Sequence, residues 1–93
     1  MIIQSQFPLG RLVVTTNLIA LISPDEVFAA VQRHASCDWG EVCEEDRESN
    51  EEALIDGSRI LSVYSSSSGT TFWIITEWDR SVTTVLMPED YEL

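Results

Sequence analysis

The 93-residue sequence contains no lysine, and its five basic residues are all arginine. Sixteen acidic residues stand against them, so the formal net charge is -11. A field this negative repels phosphate backbones and anionic lipid surfaces, and it attracts basic protein surfaces. The charge therefore argues against direct binding of nucleic acid or membranes. It predicts a basic protein surface as the partner, such as that of a nucleic-acid-binding protein, although solubility alone would also account for the acidity.

Cysteine and long apolar runs are scarce as well. Cys37 and Cys43 are the only cysteines, and the N-terminal residues lack the charged, apolar and small-residue regions of a secretory signal. The longest apolar stretch, residues 18–22, is much shorter than the roughly 20 residues that cross a bilayer. These features predict a cytoplasmic protein that neither enters a membrane nor depends on a disulfide.

One histidine, two cysteines and four glycines limit the chemistry that the chain can perform. His34, Cys37 and Cys43 could bind zinc with Asp38 or a water, but paired cysteine motifs are missing, so we favour a packed cysteine near a capped helix end. No glycine-rich phosphate loop and no nucleophile elbow is present. We therefore expect no metal and no cofactor, and nucleotide-dependent and acyl-transfer enzymes are disfavoured.

The N-terminal half predicts one strand followed by helices. Residues 11–15 are rich in β-branched side chains, which favour a strand. Residues 16–22 fit either an extension of that strand or a short helix, and we favour the helix. Ser23 and Pro24 then supply the N-cap and first position of a helix over residues 24–34.

A second long helix and three strands follow. The pattern of Asp38 and Glu41 resembles a capping box and predicts a helix over residues 41–56, which Gly57 would end. The spacing then changes to the alternation of strands, over residues 59–64, 71–78 and 82–87. Because residues 71–78 carry apolar side chains on both faces, this strand is expected to be central in its sheet.

These elements predict a single α+β domain over residues 1–93. The expected sheet is antiparallel and contains the C-terminal three-stranded meander plus the N-terminal strand, packed against two helices. The predicted core joins Phe28, Val31 and Leu54 to one apolar face of the meander. A chain of this length with 44% hydrophobic residues can bury such a core without cross-links.

An acidic segment over residues 38–56 is the candidate interaction surface. It contains nine acids and one arginine, and like charges three or four positions apart destabilise a helix. A surface retained at that cost is a candidate for binding, and Trp39 at its edge could be an aromatic anchor. The predicted site consists of Asp38, Trp39, Glu41, Glu44, Glu45, Asp46, Glu48, Glu51, Glu52 and Asp56.

The stretch from His34 to Tyr91 contains HASCDWGEV, EEDRESNEEAL, GSRILSVY and WIITEWDRSVTTVLMPEDY. It resembles a family of short bacterial proteins associated with plasmids and other mobile elements. The resemblance covers about two thirds of the chain and implies a mobile-element setting, but no role for any residue.

A helix ending in His34 and a meander closing with VTTVLMP look, more distantly, like the barnase, EndoU, colicin and RelE group of small RNA-cleaving proteins. That likeness implies a site of His34 with Thr83 or Thr84, and Arg59 as a phosphate contact. The chain departs from the group because those nucleases need a basic groove.

Three functions follow as hypotheses. The first is a noncatalytic binding or inhibitor module that mimics nucleic acid, as anti-CRISPR and anti-restriction proteins do. The alternatives are an RNA-cleaving enzyme that uses His34 and an inert accessory protein. We expect His34 to be structural, with a protonated imidazole that stabilises the C-terminus of its helix.

Overall fold

The β-branched and aromatic runs form one four-stranded sheet in the computed structural model, which describes residues 5–91. Its strands are β1 (Arg11–Val14), β2 (Ile60–Ser65), β3 (Thr71–Thr76) and β4 (Val82–Leu86). The order across the sheet is β1-β4-β3-β2. The predicted meander of β2, β3 and β4 is confirmed, since β3 pairs antiparallel with both of its neighbours.

The prediction of a purely antiparallel sheet is wrong. Strand β1 pairs in parallel with β4, with Arg11 opposite Val82 and Val14 opposite Val85. Three helices and two strands separate β1 from β4 in the chain, so β1 can join the sheet in either direction. The period of its side chains is the same in both cases, and the sequence pattern therefore did not determine the direction.

Within residues 5–91, three helices accompany the sheet: α1 (Thr16–Leu21), α2 (Pro24–Ala35) and α3 (Glu44–Asp56). The two long helices were predicted to pack against the sheet, and α1 confirms the short helix favoured over residues 16–22. The start of α2 is as predicted, because the Ser23 hydroxyl accepts a hydrogen bond from the Glu26 amide at 3.3 Å. A short 3-10 turn, Pro88–Asp90, follows β4. None of the helices in residues 5–91 is long and apolar enough to cross a membrane.

Helix α3 begins three residues later than predicted, because the preceding segment pairs with β2 instead. The Glu41 amide donates to the Val63 carbonyl at 2.7 Å, and the Val63 amide donates to the Trp39 carbonyl at 3.1 Å. Gly40 lies between them with φ of 75°. This left-handed conformation suits glycine and is incompatible with a helical turn.

The buried core lies between one sheet face and the helices. Its larger cluster joins Leu18 of α1 and Val31 of α2 to Phe72, Ile74 and Val85 of the sheet, and further members come from these elements and from Ile22 and Met87, just after α1 and β4. A smaller cluster contains Phe7, Trp39, Ala53 and Ile60.

The predicted core is confirmed at Val31 but not at Leu54. Leu54 is exposed, and Phe28 is only partly buried. The buried positions of α3 are Asn50 and Ala53, which are three residues apart and therefore share one face of the helix. Leu54 is the next residue after Ala53 and points about 100° away from it around the helix axis.

Candidate functional site

Helix α3 is attached to the sheet by a narrow contact. Only Asn50 and Ala53 are buried on it. The Asn50 side chain donates to the Leu61 carbonyl at 2.7 Å and accepts from the Leu61 amide at 3.1 Å, so it pairs with the outer edge of β2 as another strand would. The remaining positions of α3 are exposed to solvent. This geometry presents nearly the whole helix surface to a partner.

The acids of α3 are all exposed, and their charges are almost unneutralised by the described residues. The one ion pair within α3 joins Arg47 to Glu44 at 3.7 Å. Both side chains are exposed, and such surface pairs contribute little stability. The carboxylates of the following four acids of the predicted site make no hydrogen bond or ion pair with any residue in 5–91: Glu45, Asp46, Glu48 and Glu52.

Four other acids of the predicted site are engaged locally. Asp38 accepts two hydrogen bonds from Arg33, at 2.8 and 3.2 Å, and these bonds hold its pKa below the ordinary value. Glu41 accepts from the Ser65 hydroxyl at 3.0 Å. Hydrogen bonds from Ser58 likewise lower the pKa of Asp56. The fourth, Glu51, accepts from Trp39, as described next.

Trp39 is buried, and its predicted role as an exposed aromatic anchor is wrong. Its ring lies in the smaller core cluster, and its Nε1 donates to the Glu51 carboxylate at 2.8 Å. The indole ring also makes an edge contact with the His34 ring and packs at a tilt against the Phe7 ring. Trp39 therefore positions the segment before α3, and Glu51 belongs to the packing of the fold.

Exposed apolar side chains occur instead at the C-terminal end of α3. Ile55 is 91% exposed and Trp78, in the hairpin between β3 and β4, is 70% exposed. The hairpin lies against the end of the helix: the backbone at Gly57 is so close that a Cβ atom added there would be 3.9 Å from the Trp78 carbonyl oxygen. The sequence offered one signal for this site: Trp78 is a large apolar residue between the acids Glu77 and Asp79.

Arg80 fixes the hairpin to the helix. Its guanidinium donates to the Ala53 carbonyl at 2.8 Å and to the Ser58 carbonyl at 2.7 Å. A cation at this position satisfies terminal carbonyl groups and opposes the negative end of the helix dipole. Arg80 therefore holds Trp78 beside the acidic helix, which sequence reasoning missed because the two segments are far apart in the chain.

His34 is fully buried at the centre of a hydrogen-bond network. Its Nδ1 lies 2.6 Å from the Ser62 hydroxyl, and its Nε2 lies 2.8 Å from the Thr76 hydroxyl. Thr76 is 2.8 Å from Thr83, which donates to the Leu9 carbonyl at 2.6 Å. The only hydroxyl proton of Thr83 is donated to the Leu9 carbonyl, so the Thr76 hydroxyl must donate to the Thr83 oxygen. Thr76 can then only accept a hydrogen bond from the imidazole. The network therefore places the ring proton on Nε2 and makes Nδ1 the acceptor from Ser62.

The prediction that the imidazole of His34 is protonated on both nitrogens and positively charged is wrong. Burial lowers the pKa of His34 to about 4, so the imidazole is neutral near pH 7. A neutral ring with one donor and one acceptor is what the network requires. His34 thus joins α2 to two strands of the sheet, and it does not act as a charge at the helix end.

The residues implied by the RNA-cleaving resemblance do not form an accessible site. His34 and Thr83 share the network, but both are buried. Thr84 lies on the opposite sheet face, because successive residues of a strand alternate. Arg59 is exposed, with its guanidinium 5.5 Å from the centre of the Tyr91 ring.

The possible zinc ligands are not gathered either. No group of three His, Cys, Asp or Glu side chains in residues 5–91 is placed to hold a metal ion. Both ring nitrogens of His34 already have partners, and burial raises the pKa of the Cys37 thiol, which disfavours the thiolate that zinc binds. Cys43 is exposed just before α3.

No protein-family model, no curated protein and no solved structure matches the chain. The resemblances to mobile-element proteins and to small RNA-cleaving proteins therefore stay predictions.

Proposed function

We propose that this protein is a noncatalytic binding module that presents α3 to a basic protein surface. The observation that supports this function best is the combination of exposed, unneutralised acids on α3 with the apolar pair Ile55 and Trp78 at its end. Acidic residues speed association with a basic surface, while buried aromatic contacts supply most of the affinity in a typical interface.

The suggested association with mobile elements favours a nucleic-acid-binding protein as the partner. The acidic helix would occupy the positive groove of that protein in place of nucleic acid. An inhibitor of host defence nucleases, acting as anti-CRISPR and anti-restriction proteins do, fits this chemistry. An enzyme that cleaves RNA through His34 is less compatible with a buried, fully paired imidazole.

Charge reversal on α3 tests this proposal. Glu48→Lys with Glu52→Lys changes two adjacent, exposed acids one turn apart. Asp25→Lys with Glu89→Lys changes two exposed acids outside α3 and is the matched control. Each substitution raises the charge by two, so both double variants change the net charge from -11 to -7. Glu51 is left unchanged because it accepts the Trp39 hydrogen bond.

The immobilised wild-type protein would first capture basic proteins from a bacterial lysate, and one captured protein would then be titrated with each variant. We expect the α3 variant to bind at least about tenfold more weakly than the control, and wild-type binding to weaken as salt rises. Trp78→Ala should also reduce affinity, by about 2 kcal/mol or more if the ring is a central anchor. Equal losses in the two double variants would show that only total charge matters and would reject α3 as the binding surface.

A further inference from the structure

The two edges of the sheet differ in how far other segments cover them. At the β2 edge, the Asn50 side chain pairs with Leu61, and the segment around Gly40 pairs with Val63. At the other edge, β1 has β4 as its only neighbouring strand among residues 5–91. Unpaired edge strands can pair with other chains, and proteins commonly cover them.

The outward groups of β1 can be identified from its bonds to β4. The Arg11 amide donates to the Ser81 carbonyl at 2.9 Å, and the Thr15 amide donates to the Val85 carbonyl at 3.0 Å. Because alternate residues of a strand turn their backbone groups to opposite sides, the N–H and C=O groups of Leu12 and Val14 point away from the sheet.

An apolar surface lies beside this edge. Leu12 and Ile19 are 45% and 59% exposed. A groove of about 310 Å³ opens next to β1, lined by Val14, Ile19, Ile22, Pro24, Val27 and Phe28. Contiguous exposed apolar surface of this kind marks interaction sites on soluble proteins.

The charge around this surface suggests which partner fits it. The first 24 residues contain no acid and one arginine. The acids nearest the groove in sequence are Asp25, which is exposed, and Glu26, which accepts a hydrogen bond from the Ser67 amide. The carboxylate of Asp90 does approach β1, but it accepts hydrogen bonds from Thr15, Asn17 and the Met87 amide. A chain with net charge -11 can therefore meet a second copy of itself here without bringing its acidic helices together.

We propose that two copies of this chain form a dimer by pairing their β1 strands antiparallel about a twofold axis. Leu12 of each copy then lies opposite Val14 of the other, and their outward backbone groups exchange four hydrogen bonds. The same register puts the exposed Leu12 side chain over the groove beside Val14 of the second copy. The result is a continuous eight-stranded sheet, an isologous arrangement typical of homodimers.

Sedimentation equilibrium of the full chain tests this dimer. We expect the mass of two chains at high protein concentration, with dissociation on dilution and little weakening at high salt. Leu12→Asp and Ile19→Asp should each raise the dimer dissociation constant at least about tenfold, since each places a like charge in both copies of the interface. Ile55→Asp is the matched control, because Ile55 is more exposed and lies on α3, beside the opposite edge of the sheet.

Hydrogen exchange of the wild type provides a second readout that needs no variant. The Leu12 and Val14 amides should exchange slowly in the dimer and rapidly after dilution. A monomer at every concentration would overturn the proposal. A dimer that Leu12→Asp and Ile19→Asp leave intact, or one in which these two amides exchange rapidly, would also overturn it.

Discussion

Lowering the pH from 7 to 4 should destabilise the fold through His34. The folded pKa of this residue is about 4, below the ordinary value of 6.5, because burial disfavours the charged imidazole. The unfolded chain therefore binds the proton more readily than the folded chain. The stability contributed by neutral His34 is complete above about pH 6.5 and is lost as the pH falls toward 4. The interval between the two pKa values corresponds to about 3 kcal/mol, since one pKa unit is worth about 1.4 kcal/mol.

The sixteen carboxylates titrate over part of the same range, so the contribution of His34 must be separated from theirs. His34→Gln provides the comparison, because an amide can donate and accept hydrogen bonds but does not titrate. Unfolding by urea would be measured for both proteins at pH 7 and pH 4. We expect the stability of the wild type relative to His34→Gln to decrease by about 3 kcal/mol at the lower pH.

NMR of the wild type checks the same reasoning without a substitution. The imidazole resonances of His34 should stay constant from pH 7 to about pH 5, and the nitrogen shifts should show the proton on Nε2. A titration midpoint near 6.5 in the folded protein, or a proton on Nδ1, would refute the neutral network. An equal loss of stability in the wild type and His34→Gln would refute the assigned energy.

Two further substitutions test how the segment before α3 and the helix itself are held on β2. Asn50→Ala should cost about 2 to 3 kcal/mol in urea unfolding because it leaves a backbone amide and carbonyl without their partners, whereas Ser49→Ala, at an exposed position of α3, should change stability by less than about 0.5 kcal/mol. Gly40→Ala should destabilise by more than about 3 kcal/mol, since its Cβ would lie 2.0 Å from the Val63 carbonyl oxygen. Gly69 has a similar left-handed φ, but a Cβ atom added there would have no atom within 4 Å, so Gly69→Ala should cost only about 1 to 2 kcal/mol. Equal losses of stability at the two glycines would contradict the close approach of Gly40 to Val63.

Features with local causes could be predicted from the sequence. Ser23 and Pro24 define the start of α2 through groups within one turn, and Gly57 ends α3 with φ of 82°. The meander was also predictable, because short loops join its strands and constrain neighbours to run antiparallel. In each case the residues that cause the structure are close together in the chain.

The predictions that were wrong concern residues whose structure depends on distant parts of the chain. Asp38 and Glu41 have the spacing of a capping box, but pairing of Gly40 with Val63 overrides that local preference. The burial of Trp39 depends on contacts with Phe7 and Ala53, and these residues are distant in sequence. Periodicity identifies a half-buried residue, but it does not show which distant element will cover it.

The same distinction explains why the acidic helix could be predicted as a candidate surface while the β1 edge could not. The charge of α3 comes from residues that are consecutive in the sequence. Which strand lies at the edge of the sheet depends on the strand order, and that order is set by contacts between distant segments. In that order, α3 lies beside β2, and the edge without a further strand among residues 5–91 belongs to β1, at the opposite side of the sheet. A dimer formed through β1 would therefore leave both copies of α3 accessible. If one basic partner offers two sites, the second α3 would bind as an intramolecular step, and avidity would exceed the affinity of a single helix. Leu12→Asp should then weaken binding to such a partner without changing any residue of α3, whereas Glu48→Lys with Glu52→Lys should weaken binding while the dimer persists.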